Sequence, residues 1–147
     1  LLINANKALK GQKYAEGKIL LEKILLINPN IFEVNFNLAM INFQSGNVDA
    51  AIQYFQNAKK INPKVSRVYF NLALAFENKN EKNLAIINYE KAIELDPKLG
   101  EELDWFTRFL QNRKTKKETI PDRIKMLKDL LEADKESFPR MKPDTQG

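Results

Sequence analysis

The chain contains no cysteine and no histidine. Without cysteine there is no disulfide framework and no thiolate nucleophile. Without histidine the commonest general base is missing, and zinc loses its two usual ligands. Glycine is sparse, five residues in 147, and none stands in a phosphate-cradling loop or a Gly-x-Ser-x-Gly elbow. Carboxylates such as Glu101 and Glu102 are sequence neighbours that diverge on a helix, and no acidic spacing suits a calcium loop. No stretch approaches the ~18 uninterrupted apolar residues of a membrane span. The expectation is therefore a non-catalytic chain with no cofactor and no metal.

What is present points to helices. With 44% apolar and 29% charged residues, the chain has enough material for a folded, all-helical unit. Its punctuation is periodic. Pro29, Pro63 and Pro97 stand 34 residues apart, each closing a similar phrase: Ile27-Asn28-Pro29, Ile61-Asn62-Pro63 and Leu95-Asp96-Pro97. The residue before proline disfavours the α region, so each phrase ends a helix, and Asn or Asp suits the turn. Helices are expected near 1–11, 13–28, 32–44, 48–61, 66–78, 82–95, 99–113 and 121–136. Asn47, Asn80, Ser66 and Thr119 are the candidate N-caps.

The spacing carries a fuller pattern. The third unit reads Tyr69-x2-Leu72-Ala73-x2-Phe76, then Ala85-x3-Tyr89, then Pro97. The second keeps Leu38-Ala39, Ala51-x3-Phe55 and Pro63, but has Asn35 and Asn42 where aromatics are usual. The first is weakest, with Ala5, Ala8, Gly17-x3-Leu21 and Pro29. Over residues 1–97 the chain resembles the tetratricopeptide repeat family. The resemblance implies a right-handed superhelical α-solenoid of three helix hairpins: residues 1–29 (truncated at its start), 30–63 and 64–97. Residues 98–136 are expected to form a capping helix pair with a polar outer face, and 137–147 a disordered tail. A chain opening on Leu1, inside a repeat, reads as a fragment of a longer protein.

The same resemblance implies a site. First helices of such units line a concave groove, which by phase would be lined by Asn6, Phe36, Asn37, Met40, Phe43, Arg67, Phe70, Asn71, Leu74, Trp105 and Arg108. The expected partner is a protein or peptide with an apolar face, extended or helical. Buried aromatics would dominate affinity, at roughly 1.5–3 kcal/mol for a phenylalanine. Asn37 and Asn71 would set register, at roughly 0.5–1.5 kcal/mol per hydrogen bond. The alternative for these side chains is packing against neighbouring helices.

Co-chaperones of this family clamp a terminal carboxylate through cations and asparagines. The corresponding residues here are Leu2, Asn6, Asn37, Arg67 and Asn71, which lack two of the cations, so chaperone tails are disfavoured. Other readings stay open. The chain is alternatively a targeting module of a larger enzyme or membrane-anchored protein. An apolar groove also offers a route to self-association. With net charge +5 and basic residues at Arg108, Arg113, Lys114, Lys116, Lys117, Arg123 and Lys125, contact with RNA or anionic membrane is a further reading. Interleaved Glu118, Asp122 and Asp129 blunt it, so nucleic acid and direct membrane contact are disfavoured.

Overall fold

The structure, a computed structural model, describes Asn4, residues 13–100 and residues 119–137. Among them are six α-helices and no strand: α1 (Tyr14–Ile27), α2 (Phe32–Gln44), α3 (Val48–Ile61), α4 (Ser66–Asn78), α5 (Lys82–Leu95) and α6 (Ile120–Ser137), with a 3₁₀ turn at Pro97–Gly100. Five of these bounds match the expected helices to within a residue at each end, and α6 is one residue longer at both. The expected helix at 1–11 apart from Asn4, most of that at 99–113, and the expected tail apart from Ser137, which is helical and ends α6, lie outside the described residues.

The proline phrases act as expected. Asn28, Asn62 and Asp96 end α1, α3 and α5 in extended backbone, with φ of −143°, −140° and −140°. Each side-chain oxygen then accepts from the backbone N–H two residues on, at 3.0, 3.2 and 3.1 Å. These turns satisfy donors that a broken helix leaves bare. The tight turns inside the second and third hairpins are also equivalent. Gly46 and Asn80, 34 residues apart, both adopt positive φ, 82° and 60°. Asn80 is thus the left-handed turn residue and not a cap. Asn47 stands at the N-cap of α3 without a side-chain cap bond, and Ser66 lies inside α4 behind Val65. Of the four expected caps only Thr119 makes a side-chain cap bond. Its Oγ1 accepts from Asp122 N–H at 3.3 Å, while Asp122 Oδ2 accepts from the Thr119 backbone N–H at 3.1 Å.

Consecutive helices pack as hairpins, α2 on α3 and α4 on α5, and each hairpin rests on its neighbours. Small residues mark the close approaches: Gly17, Ala51 and Ala85 occupy one phase of the repeat and all are buried. Leu21, Phe55 and Tyr89 fill the next core position, each with no exposed surface. The two aromatic-poor positions are rescued by hydrogen bonding. Asn35 Nδ2 donates to the Pro29 carbonyl at 3.0 Å, the bond that Tyr69 Oη makes to the Pro63 carbonyl at 2.7 Å one repeat later. Asn42 Nδ2 donates to the Leu38 carbonyl at 2.8 Å. Both asparagines are buried, so these bonds offset a desolvation cost of about 1–3 kcal/mol per group.

Candidate peptide-binding groove

The inner row begins on α2. Phe36, Asn37, Met40 and Phe43 recur at helical spacing and are all half-buried. Phe32 stacks on Phe36 at 5.9 Å between ring centroids, and Phe36 meets the edge of Phe55 at 5.8 Å. On α4, Arg67 is exposed, but Phe70, Asn71 and Leu74 are buried, with 6, 6 and 7% of their surface accessible.

This corrects one expectation. Phe36 and Phe70 were expected to look into an open hollow. Each instead leans on the ring at the equivalent place of its own hairpin's second helix, Phe36 on Phe55 and Phe70 on Tyr89 at 5.9 Å. The physical reason is aromatic packing: an offset or edge contact adds about 0.5–1.5 kcal/mol beyond burial. Phe36 keeps an accessible edge and Phe70 does not. Asn71 Nδ2 is engaged with the Arg67 carbonyl at 2.8 Å. Asn6, Trp105 and Arg108, like Leu2 of the clamp comparison, lie outside the described residues. The row is therefore open at α2 and Arg67 and closed at α4.

α6 packs on α5 and reaches α4 through Glu77. Ile120, Ile124 and Leu127 join the same apolar core as Phe70, Leu74 and Tyr89. Arg123 Nε donates to both Glu77 oxygens, at 3.0 and 2.6 Å, and Tyr89 Oη donates to Glu77 Oε2 at 2.8 Å. Burial, with the Glu77 charge beside it, pushes the Tyr89 phenol far above its ordinary value near 10. Lys82–Asp134 at 3.2 Å and Lys128–Glu90 at 2.9 Å show that α6 runs antiparallel to α5. Sequence reading placed Arg123 in a basic patch; it is committed to Glu77, and what could have pointed there is that Glu77 falls on the inner phase of α4. Among the described residues no cluster of acidic side chains could hold a metal ion, and no helix is long and apolar enough to cross a membrane.

Family models described as tetratricopeptide repeat match residues 32–65 and 66–99. A search of curated proteins gave no significant match. Among solved structures the chain is similar to MamA. It is 29% identical to MamA MSR-1 over 65% of this chain and 55% of that one, with a TM-score of 0.60. A MamA mutant is 30% identical, with 64 and 69% covered and a TM-score of 0.61. The chain spans about half the length of the first MamA chains it matches. It is also similar to the first repeat domain of Spaghetti (RPAP3) bound to an HSP90 peptide, at 18% identity, 89 and 90% covered, TM-score 0.68. The Yersinia enterocolitica type III secretion chaperone SycD, in complex with a peptide of the translocator YopD, gives 16%, 91 and 91%, and 0.65. The last two likenesses concern the fold alone.

Proposed function

This chain belongs to the tetratricopeptide repeat family, and from that premise we propose that it is a non-catalytic scaffold holding a peptide segment of a protein partner along its inner row. The observation that carries the reading is the half-open face of α2 beside exposed Arg67. Phe36, Met40 and Phe43 offer apolar edges in one line, Asn37 lies beside them, and Arg67 adds a fixed positive charge one repeat on. An apolar row with few polar groups suits a segment with alternating or helical apolar anchors. Support also comes from two relatives of the same fold that hold peptides. Because Phe70 and Leu74 are buried, the reading assigns the main anchors to the second unit and leaves these two as its packed base.

The test uses binders selected from a random displayed peptide library against the full chain, with affinity measured by calorimetry. Met40→Glu and Arg67→Glu are expected each to weaken the inner-row class of binder at least about tenfold, which is about 1.4 kcal/mol. Helical circular dichroism should be unchanged. If no recovered binder responds to either substitution, the inner row is not the docking surface.

A further inference from the structure

A second groove opens on the opposite side of the stack, between α3 and α5. Its floor is Tyr69 and Phe76 of α4, and its α5 wall carries Leu84 and Ile87, which are 40 and 60% exposed. The depression measures about 470 Å³. Asn88 lines it with only 8% of its surface accessible. One of its N–H groups is donated to the Leu84 carbonyl at 2.8 Å; among the described residues its Oδ1 accepts from nothing.

The repeat supplies its own control. Thirty-four residues earlier, the equivalents of Tyr69, Phe76, Leu84, Ile87 and Asn88 are Asn35, Asn42, Ala50, Gln53 and Tyr54. There the floor is polar and self-bonded, the wall is small or polar, and a tyrosine stands where Asn88 stands. Tyr54 packs against the apolar clusters on both of its sides. Its phenol is raised by burial and by the charge of Glu22, the equivalent of Gln56 on the second groove's rim. The earlier unit keeps a depression of about 430 Å³, but Asn57 and Lys60, the equivalents of Lys91 and Glu94, line it, and no large apolar side chain stands at the places of Leu84 and Ile87. Tyr54 is drawn into the apolar clusters instead, whereas asparagine at its place leaves the later groove more apolar and fitted with a spare acceptor. An orphaned buried acceptor costs free energy until something bonds it.

Charge defines what fits beside the anchor. Glu94 is already paired with Lys91 at 3.1 Å and Glu90 with Lys128 at 2.9 Å. Lys59 lies 5.9 Å over the Tyr69 ring and has no carboxylate partner among the described residues. We propose that the α3–α5 groove is a second docking site, taking a partner-protein segment that inserts a tyrosine or phenylalanine where Tyr54 sits one repeat earlier. A backbone N–H or phenol of that segment donates to Asn88 Oδ1, and an adjacent Asp or Glu pairs with Lys59.

The same displayed library, selected on the full chain and counter-selected on Asn88→Tyr, tests this. Clones lost on the variant are expected to carry an aromatic next to an acidic residue. Their affinity should fall at least about tenfold on Asn88→Tyr and severalfold on Lys59→Glu, with no response to Met40→Glu. Ile87→Lys, at an exposed position, should give the same loss and decides the matter if Asn88→Tyr does not fold. The proposal is overturned if binders insensitive to Met40→Glu ignore Ile87→Lys or lack an aromatic. It is equally overturned if the wild-type chain self-associates in a way that Ile87→Lys abolishes while no selected peptide competes, since the occupant is then a second copy. Failure of the inner-row reading leaves this outcome untouched, because the two classes are separated by different substitutions.

Discussion

Tyr89 has no accessible surface, and its hydroxyl donates to a carboxylate that Arg123 also holds. Removing that hydroxyl by Tyr89→Phe should cost about 1.5–3 kcal/mol at neutral pH, the range for a hydrogen bond to a charged group. The effect also has a pH signature. The phenol ionises near 10 in the unfolded chain and well above that in the folded one, because burial disfavours the charged form. Above pH 10 the unfolded chain releases a proton that the native state keeps. Stability therefore holds below that pH and falls as pH rises, by up to about 1.4 kcal/mol per unit for this one group. Denaturant melts of wild type and Tyr89→Phe at pH 8 and 11 should show the gap between them narrowing. A gap that is constant or widens contradicts the assignment. From sequence, Tyr89 was legible as a repeat core position, but its coupling to Glu77 and Arg123 was not, since 46 residues separate that pair.

At the scale of elements, the links of α6 to the stack among the described residues include an apolar stripe, the shielded Arg123–Glu77 pair and the more exposed Lys82–Asp134 and Lys128–Glu90 pairs. The exposed pairs, Lys82–Asp134 and Lys128–Glu90, contribute about 0–1 kcal/mol each, so they orient the helix more than they hold it. Arg123–Glu77 is better shielded, with 17% of either side chain accessible. Arg123→Ala leaves Glu77 and Tyr89 without their cation and should speed amide exchange in α6 by about tenfold or more, with α2 and α3 unchanged. Thr119→Ala, which loses the cap, should cost about 0.5–2 kcal/mol. Equal acceleration across every helix would mean that α6 is not a separable element. Helix ends proved legible wherever proline or its preceding Asx residue acts through local backbone sterics. Asn47 takes the N-cap position expected of it but makes no side-chain cap bond, and Asn80 and Ser66 do not stand at N-caps, because capping depends on the φ and ψ that the turn finally adopts. Thr119 was readable because Asp122 completes a reciprocal pair three residues on.

The whole molecule is a chain of neighbours. Leu21, Ile24, Val34, Leu38 and Ile41 form a core between α1 and α2, and a larger core runs from the other side of α2, through Ala39, to α6. In such a stack stability is the sum of units and interfaces. α1 should therefore exchange its amides faster than α4 and α5, and Leu21→Ala should loosen α1 while leaving α5 protected. Uniform protection from α1 to α5, read by mass spectrometry, would contradict a modular stack.

The amino-acid order by itself determined the repeat length, the helix boundaries set by Pro29, Pro63 and Pro97, and the small and large core positions, because all of these act within one hairpin. Which rings stay open was decided only in three dimensions. Phe36 and Phe70 share a repeat phase, yet one retains an edge to solvent and the other lies in the core that α6 joins. Likewise Tyr54 and Asn88 are equivalent in register, and only the packing of α3 and α5 over α4 turns that difference into a more apolar groove. Periodicity specifies the face a side chain takes, whereas accessibility depends on what distant parts of the chain lay against that face.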